Sequence, residues 1–317
     1  MSFVLDAFQV FLQNVSLPDS QMTSARRSNN ALRNYLAADA YFGKLLLDTF
    51  LNGSYARHTA VQPIKDVDVI VVVSRDWIEA DPSRAMEALR RKLAQRYTDW
   101  RTRRQRRAVK VTLSDIRLDV VLAVAPDGLD RPLRIPDRAQ RRWIETHPKC
   151  QLALVKAIGA QTKGNYSRLV RLFKVWARNR VASSDRPSSF ILECAVYHVL
   201  AAQPERFAGP IDEAYAALLH ALYSWDFGRS GIFESWSQPT VTDPALRDTN
   251  VAERWEYAAA NRVKEKLGHA LRRLDGIRLS RWDDTEVRHW AEFFGYPFPA
   301  PSTVLRRTRK RVSDASQ

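Results

Sequence analysis

Hydrophobic positions along the chain follow one period and then another. Val4, Leu5, Phe8, Phe11 and Leu12 recur on one helical face, predicting a short amphipathic helix over residues 3–12. Pro18-Asp19-Ser20 interrupts it and starts a second helix that runs past Leu32, Tyr35 and Leu36. Residues 42–50 are apolar enough to read as a strand, which ends at a Gly53-Ser54 turn. Asp66 to Val73 is rich in Val and Ile and reads as the next strand. Asp81-Pro82 supplies a cap and a first helical residue, opening a helix with Met86, Leu89, Leu93 and Tyr97 on one side. Val109–Leu113 and Ile116–Val124 read as two strands joined at Ser114-Asp115 in a hairpin, and Pro126-Asp-Gly128 closes the second. After Ile135-Pro-Asp137 the period lengthens. Tyr166–Arg178 carries Leu169, Leu172, Phe173 and Trp176 at helical spacing, and Phe190–Leu200 and Val251–Leu274 read as further helices.

Three carboxylates break this pattern. Alternate residues of a strand share a face, so Asp66 and Asp68 project together while Val67, Val69 and Val71 project the other way. Asp119 is a lone acid within an otherwise apolar strand core. Buried carboxylates that face one another are costly unless a cation lies between them. If the strands are neighbours, the three can hold two Mg²⁺ ions, with Mn²⁺ an alternative, for metal-assisted transfer to phosphorus. The competing readings are a solvated strand end for Asp66 and Asp68, and a structural ion pair with an arginine for Asp119. Upstream, Gly53 lets the backbone approach a ligand closely, and Ser54 and the turn N–H groups can donate to phosphate oxygens. Arg57 and Thr59 extend this set. The segment is not a P-loop, because no G-x-x-x-x-G-K-[ST] occurs.

Composition narrows the setting. The chain has 317 residues, a net charge of +15 and nine tryptophans, which suits a well-buried globular protein with polyanionic partners or a surface merely rich in arginine. Two cysteines, Cys150 and Cys194, exclude a disulfide framework or a Cys-rich zinc module. The N-terminus lacks the basic and apolar regions of a signal peptide, and no apolar run matches a membrane span, so a cytoplasmic protein without membrane contact is expected.

Gly53-Ser-Tyr-Ala-Arg-His-Thr59, Asp66-Val-Asp68 and Leu118-Asp119-Val120 resemble the nucleotidyltransferase core of the polymerase-β-like superfamily. Within it the chain most resembles the CD-NTases, bacterial relatives of cyclic GMP-AMP synthase and oligoadenylate synthase. Ile135-Pro-Asp137, Trp143, Thr146-His-Pro148-Lys149, Leu172-Phe-Lys174-Val-Trp176, Ser188-Ser189-Phe190 with Glu193, Thr240-Val-Thr-Asp-Pro244 with Asn250, and Trp290-Ala-Glu-Phe-Phe-Gly295 extend the resemblance over nearly the whole chain.

The resemblance implies an α+β fold: a small mixed sheet with flanking helices, plus a C-terminal helical lobe. The expected division is a catalytic core with the N-terminal helices at 1–140, a helical lobe at 141–300 and a basic tail at 301–317. It further implies that Lys174 and Ser189, with Ser188 beside them, contact the donor triphosphate. Lys174 lies off the apolar face of its helix and is expected to be free to reach the ligand. The activity implied is the joining of NTPs into a cyclic di- or trinucleotide, with pyrophosphate released, as a signal to a downstream effector in antiphage defence (CBASS). A template-independent RNA nucleotidyltransferase and a nucleic-acid-binding scaffold with a silent site stay open as alternatives. No Cys/His cluster matches the zinc ribbon of the animal DNA sensor, which argues against activation of that kind. Two basic clusters, Arg101–Arg107 and Arg306–Arg311, are candidate contacts for RNA, DNA or a regulatory protein, or plain solvated surface.

Overall fold

The structure is a computed structural model, and it describes residues 3–63, 66–76, 81–114, 116–228, 238–278 and 283–304. It opens with α1 (Phe3–Val15), α2 (Asp19–Ala37) and α3 (Phe42–Leu45). Then come β1 (Leu46–Leu51), α4 (Gly53–Ala56), β2 (Val67–Ser74), α5 (Pro82–Tyr97), β3 (Thr102–Arg104), β4 (Val109–Thr112) and β5 (Arg117–Ala125). β6 (Leu133–Asp137), β7 (Arg142–Thr146) and α6 (Pro148–Gln161) lead to α7 (Asn165–Arg180), α8 (Ser189–Ala202) and α9 (Ile211–Trp225). A small β8–β9 pair (Thr242–Asp243, Leu246–Asn250) precedes α10 (Tyr257–Arg278) and α11 (Asp283–Phe294).

The chain forms two compact units, one of residues 17–154 and one of residues 1–16 with 155–317. This differs from the expected division. The first helix belongs with the helical unit, and the switch comes at 154 rather than 140. The reason is aromatic packing: Phe8 and Phe11 of α1 lie against Phe294 and Phe298, and Phe8 also meets Trp290 edge-on with ring centroids 5.0 Å apart. All of Phe8, Phe11 and Phe294 are fully buried. The expected basic tail falls outside the described residues from 305 onward.

In the first unit a mixed sheet runs in the order β1-β2-β5-β4-β3, with β6 and β7 continuing from β5. β2 and β5 are parallel; the other pairs are antiparallel. Alternation decides what each face buries. Val67, Val69, Val71, Val73, Leu118, Val120 and Leu122 pack against Leu32 and Leu36 of α2 and Leu89 and Leu93 of α5. Each such side chain contributes on the order of 1.5–3 kcal/mol when fully buried. The opposite face carries a smaller cluster of Ile70, Val72, Ala123, Ala125 and Leu133. Asp68 and Asp119 share that second face.

α5 begins where its cap predicts: the Asp81 side chain accepts from the N–H groups of Ser83 (2.6 Å) and Arg84 (3.2 Å). Residues 42–50 are not one strand. The Asp39 carboxylate accepts from the N–H groups of Tyr41 and Phe42 and closes a helical turn before β1 starts at Leu46. The segment after Ile135 is also corrected, because β6 and β7 form a hairpin there rather than a helix. Among the described residues no helix is long and apolar enough to cross a membrane.

Candidate active site

β1 delivers the Gly53-Ser54 turn to the carboxylates. Its last residue, Leu51, pairs with Val69, and the next N–H, that of Asn52, donates to the Asp68 carbonyl at 2.8 Å. Gly53 then turns with φ +64 directly over Asp68. A Cβ at Gly53 would lie 1.8 Å from Asp68 Oδ2, so a glycine is required by space as well as by backbone conformation. Behind the turn, the Thr59 and Ala60 N–H groups both donate to the Ser54 carbonyl, at 2.9 and 3.1 Å. Thr59 and Arg57 are buried. The sequence reading put both among the nucleotide-binding residues. The structure gives Thr59 a bracing place, since its hydroxyl also lies 3.4 Å from the Ser54 carbonyl.

The parallel register of β2 and β5 sets Asp68 directly opposite Asp119. Asp66 lies one residue before β2. The two strands are therefore neighbours, as the grouping of the three acids requires. Asp119 is strongly perturbed. Burial, reinforced by the charges of Asp66 and Asp68, pushes its pKa up to about 6 against the pull of Lys110 and Arg117. Its Oδ1 is buried and accepts no hydrogen bond. Arg117 Nε lies 3.1 Å from Asp66 Oδ1, and Lys110 Nζ donates to the same oxygen at 2.9 Å.

Among the described residues no three His, Cys, Asp or Glu side chains are already gathered around one point for a metal ion. The three acids feel one another, but Asp66 is drawn to two cations of the protein itself. The site nonetheless suits a divalent ion. It offers hard carboxylate oxygens, one of them buried without a hydrogen bond, beside a glycine turn that leaves no side chain in the way. A cavity of about 530 Å³ lies at the adjoining edge, lined by Ser20, Gln21 and Ser24 of α2 with Tyr55, Val67 and Arg117.

In the helical unit Lys174 is corrected from a freely reaching lysine to a buried one. Its Nζ donates to Glu193 Oε1 at 2.7 Å, and the two side chains are 8% and 3% exposed. Glu193 lies about one turn into α8, so Lys174 ties α7 to the first turns of α8. Ser188 is the N-cap, its hydroxyl accepting from the Ile191 N–H at 3.3 Å, and Ser189 is the exposed first residue of the helix.

The first basic cluster is largely engaged inside the protein. Arg106 and Arg107 both bind the fully buried Asp137, and Arg104 pairs with Glu87 at 3.2 Å. Burial resists the Asp137 charge, yet these two arginines and the N–H groups of Ala139 and Gln140 hold its carboxyl well below the usual range. The second cluster lies outside the described residues.

Sequence reasoning assigned no role to Lys110, Arg117 or Asp137. Lys110 was within reach of it: folding the predicted hairpin symmetrically about Ser114-Asp115 sets Lys110 opposite Asp119, as observed.

Residues 1–158 match the family model described as Second Messenger Oligonucleotide or Dinucleotide Synthetase domain. A curated relative, the cyclic AMP-AMP-AMP synthase of an Acinetobacter species, is 28% identical over 92% of this chain and 84% of its own length. Among solved structures, Escherichia coli MS115-1 CdnC with ATP superposes with a TM-score of 0.77, covering 95% of this chain and 99% of that one at 21% identity. The complex of CdnC with HORMA-deltaN gives 0.73, covering 91% and 95% at 20% identity.

Proposed function

The chain belongs to the CD-NTases, nucleotidyltransferases that make cyclic oligonucleotide second messengers, and from that premise we propose how its own residues perform the reaction. The observation that carries the proposal is the register pair of Asp68 and Asp119 beneath the Gly53 turn. In our reading the Gly53-Ser54 turn receives the triphosphate of the donor NTP: glycine admits the close approach, and the Ser54 hydroxyl and turn N–H groups donate to its oxygens. Asp66, Asp68 and Asp119 hold the divalent cations, two Mg²⁺ or Mn²⁺ ions. When bound, these ions make the attacking hydroxyl more acidic and offset charge on the reacting phosphate.

Asp119 accepts the proton of the ribose hydroxyl. The hydroxyl oxygen bonds to the α-phosphorus of the second nucleotide, and the bond to pyrophosphate breaks. A second transfer of the same kind closes a cyclic di- or trinucleotide. Ser188 and Ser189 at the start of α8 offer a phosphate a second position, since a helix N-terminus favours an anion.

The product serves as a signal to an effector in antiphage defence. A regulatory protein partner is part of the same proposal, by analogy with the HORMA protein bound to E. coli CdnC. The RNA-tailing alternative loses support, because Arg104, Arg106 and Arg107 are spent on Glu87 and Asp137. The test is incubation with labelled NTPs and Mg²⁺, with and without RNA. Small phosphatase-resistant products without RNA are expected; label found only at RNA ends sinks the proposal.

A further inference from the structure

We infer that Lys110 is the internal counter-cation of the carboxylate site: its ammonium holds Asp66 in the metal-free protein, and a divalent ion binds by displacing it. This rests on the reading that Asp66, Asp68 and Asp119 take a divalent ion.

Strand alternation puts Lys110 where it is. Its neighbours Val109 and Val111 are fully buried on the helix-covered face of the sheet, so Lys110 faces the acids. The β4–β5 register sets it opposite Asp119. From there Nζ donates to Asp66 Oδ1 at 2.9 Å and lies 3.9 Å from Asp119 Oδ1. One ammonium therefore faces two of the three acids. The side chains of Lys110, Asp66 and Asp119 are 23%, 24% and 17% exposed, so solvent screens them less than a surface pair.

Arg117 also reaches Asp66 Oδ1, at 3.1 Å, but is 45% exposed and better screened. Without Lys110 three acids would face one another at a site that already resists the charge of Asp119. With it, an arriving ion must take Asp66 from a hydrogen-bonded lysine. Lys110 thus stabilises the empty site and weakens metal binding by a corresponding factor.

The test is Mn²⁺ binding without nucleotide, followed by electron paramagnetic resonance, together with melting temperatures in EDTA and in Mn²⁺. Lys110→Met is expected to bind Mn²⁺ roughly fivefold more tightly, the size of a partly screened ion pair. It is also expected to melt lower than wild type in EDTA and to gain more from added Mn²⁺. Lys110→Arg, which keeps the charge, should match wild type. Lys110→Gln, which keeps the length and a polar end, should follow Lys110→Met and serves if the Met variant does not fold. Unchanged or weaker Mn²⁺ binding in the neutral variants overturns the inference, as does equal tightening in Lys110→Arg. The metal reading has its own control. If wild type binds Mn²⁺ no better than an Asp68→Ala, Asp119→Ala double variant, that reading fails whatever Lys110 does.

Discussion

Gly53 and Asp68 form the tightest juxtaposition in the site. A methyl group at Gly53 would lie 1.8 Å from Asp68 Oδ2, and φ +64 strains any residue with a Cβ. Gly53→Ala is therefore expected to lower the rate of nucleotide joining by at least ~100-fold through displacement of Asp68, while circular dichroism stays that of wild type. A second prediction concerns Asp119. Its folded-state pKa, about 6, lies above the ordinary carboxylate value of 3.8, so the folded protein binds the extra proton more tightly than the unfolded chain. That contribution favours folding at pH 4 and is lost as the pH rises through about 6. In EDTA, Asp119→Asn should melt higher than wild type at pH 7.5, and the two should converge toward pH 4.5. Equal melting at both pH values would contradict the assignment. At this scale the sequence was informative where chemistry conflicted with pattern: acids in apolar strands and a glycine ahead of them. It was silent where a residue looked ordinary. Lys110 between two valines reads as a routine solvent-facing lysine until its hairpin is folded. Lys174 looked free on a helical wheel because its partner, Glu193, lies on another helix.

Between elements, buried charge joins what the hydrophobic pattern cannot. Asp137 ends β6 and ties the β3–β4 connection to it through Arg106 and Arg107. Asp137→Ala would leave two arginines without their anion and cost about 3 kcal/mol, read as a lower denaturation midpoint. Because this carboxyl is held below its usual range, its contribution persists at neutral pH and fades only in acid. The β6–β7 hairpin itself was illegible for a local reason. Its turn, residues 138–141, contains no glycine, and Arg141 takes the positive φ (+50) that a glycine would normally advertise. Likewise the turn of α3 depends on the Asp39 side chain capping N–H groups two and three residues on, within a run that otherwise reads as extended. Strands and helices with strong periodicity, such as β2, β5, α5 and α7, came through within a few residues of their ends.

In the whole molecule the first sixteen residues are part of the helical unit, far along the chain from their neighbours α9 and α11. No local pattern reports such a pairing; only the bare aromatic content of both segments hints at it. Phe8→Ala opens a cavity beneath Trp290, Phe294 and Phe298 and is expected to cost about 3–5 kcal/mol, checked by chemical denaturation. The proposed synthesis of a cyclic oligonucleotide by Asp66, Asp68 and Asp119 belongs to the whole molecule too. Its most direct measurement is mass spectrometry of products from all four NTPs and Mg²⁺, for the wild type and an Asp66→Ala, Asp68→Ala double variant. A cyclic di- or trinucleotide and pyrophosphate are expected from the wild type and neither from the variant. The same cyclic product from both proteins would contradict the role of these carboxylates.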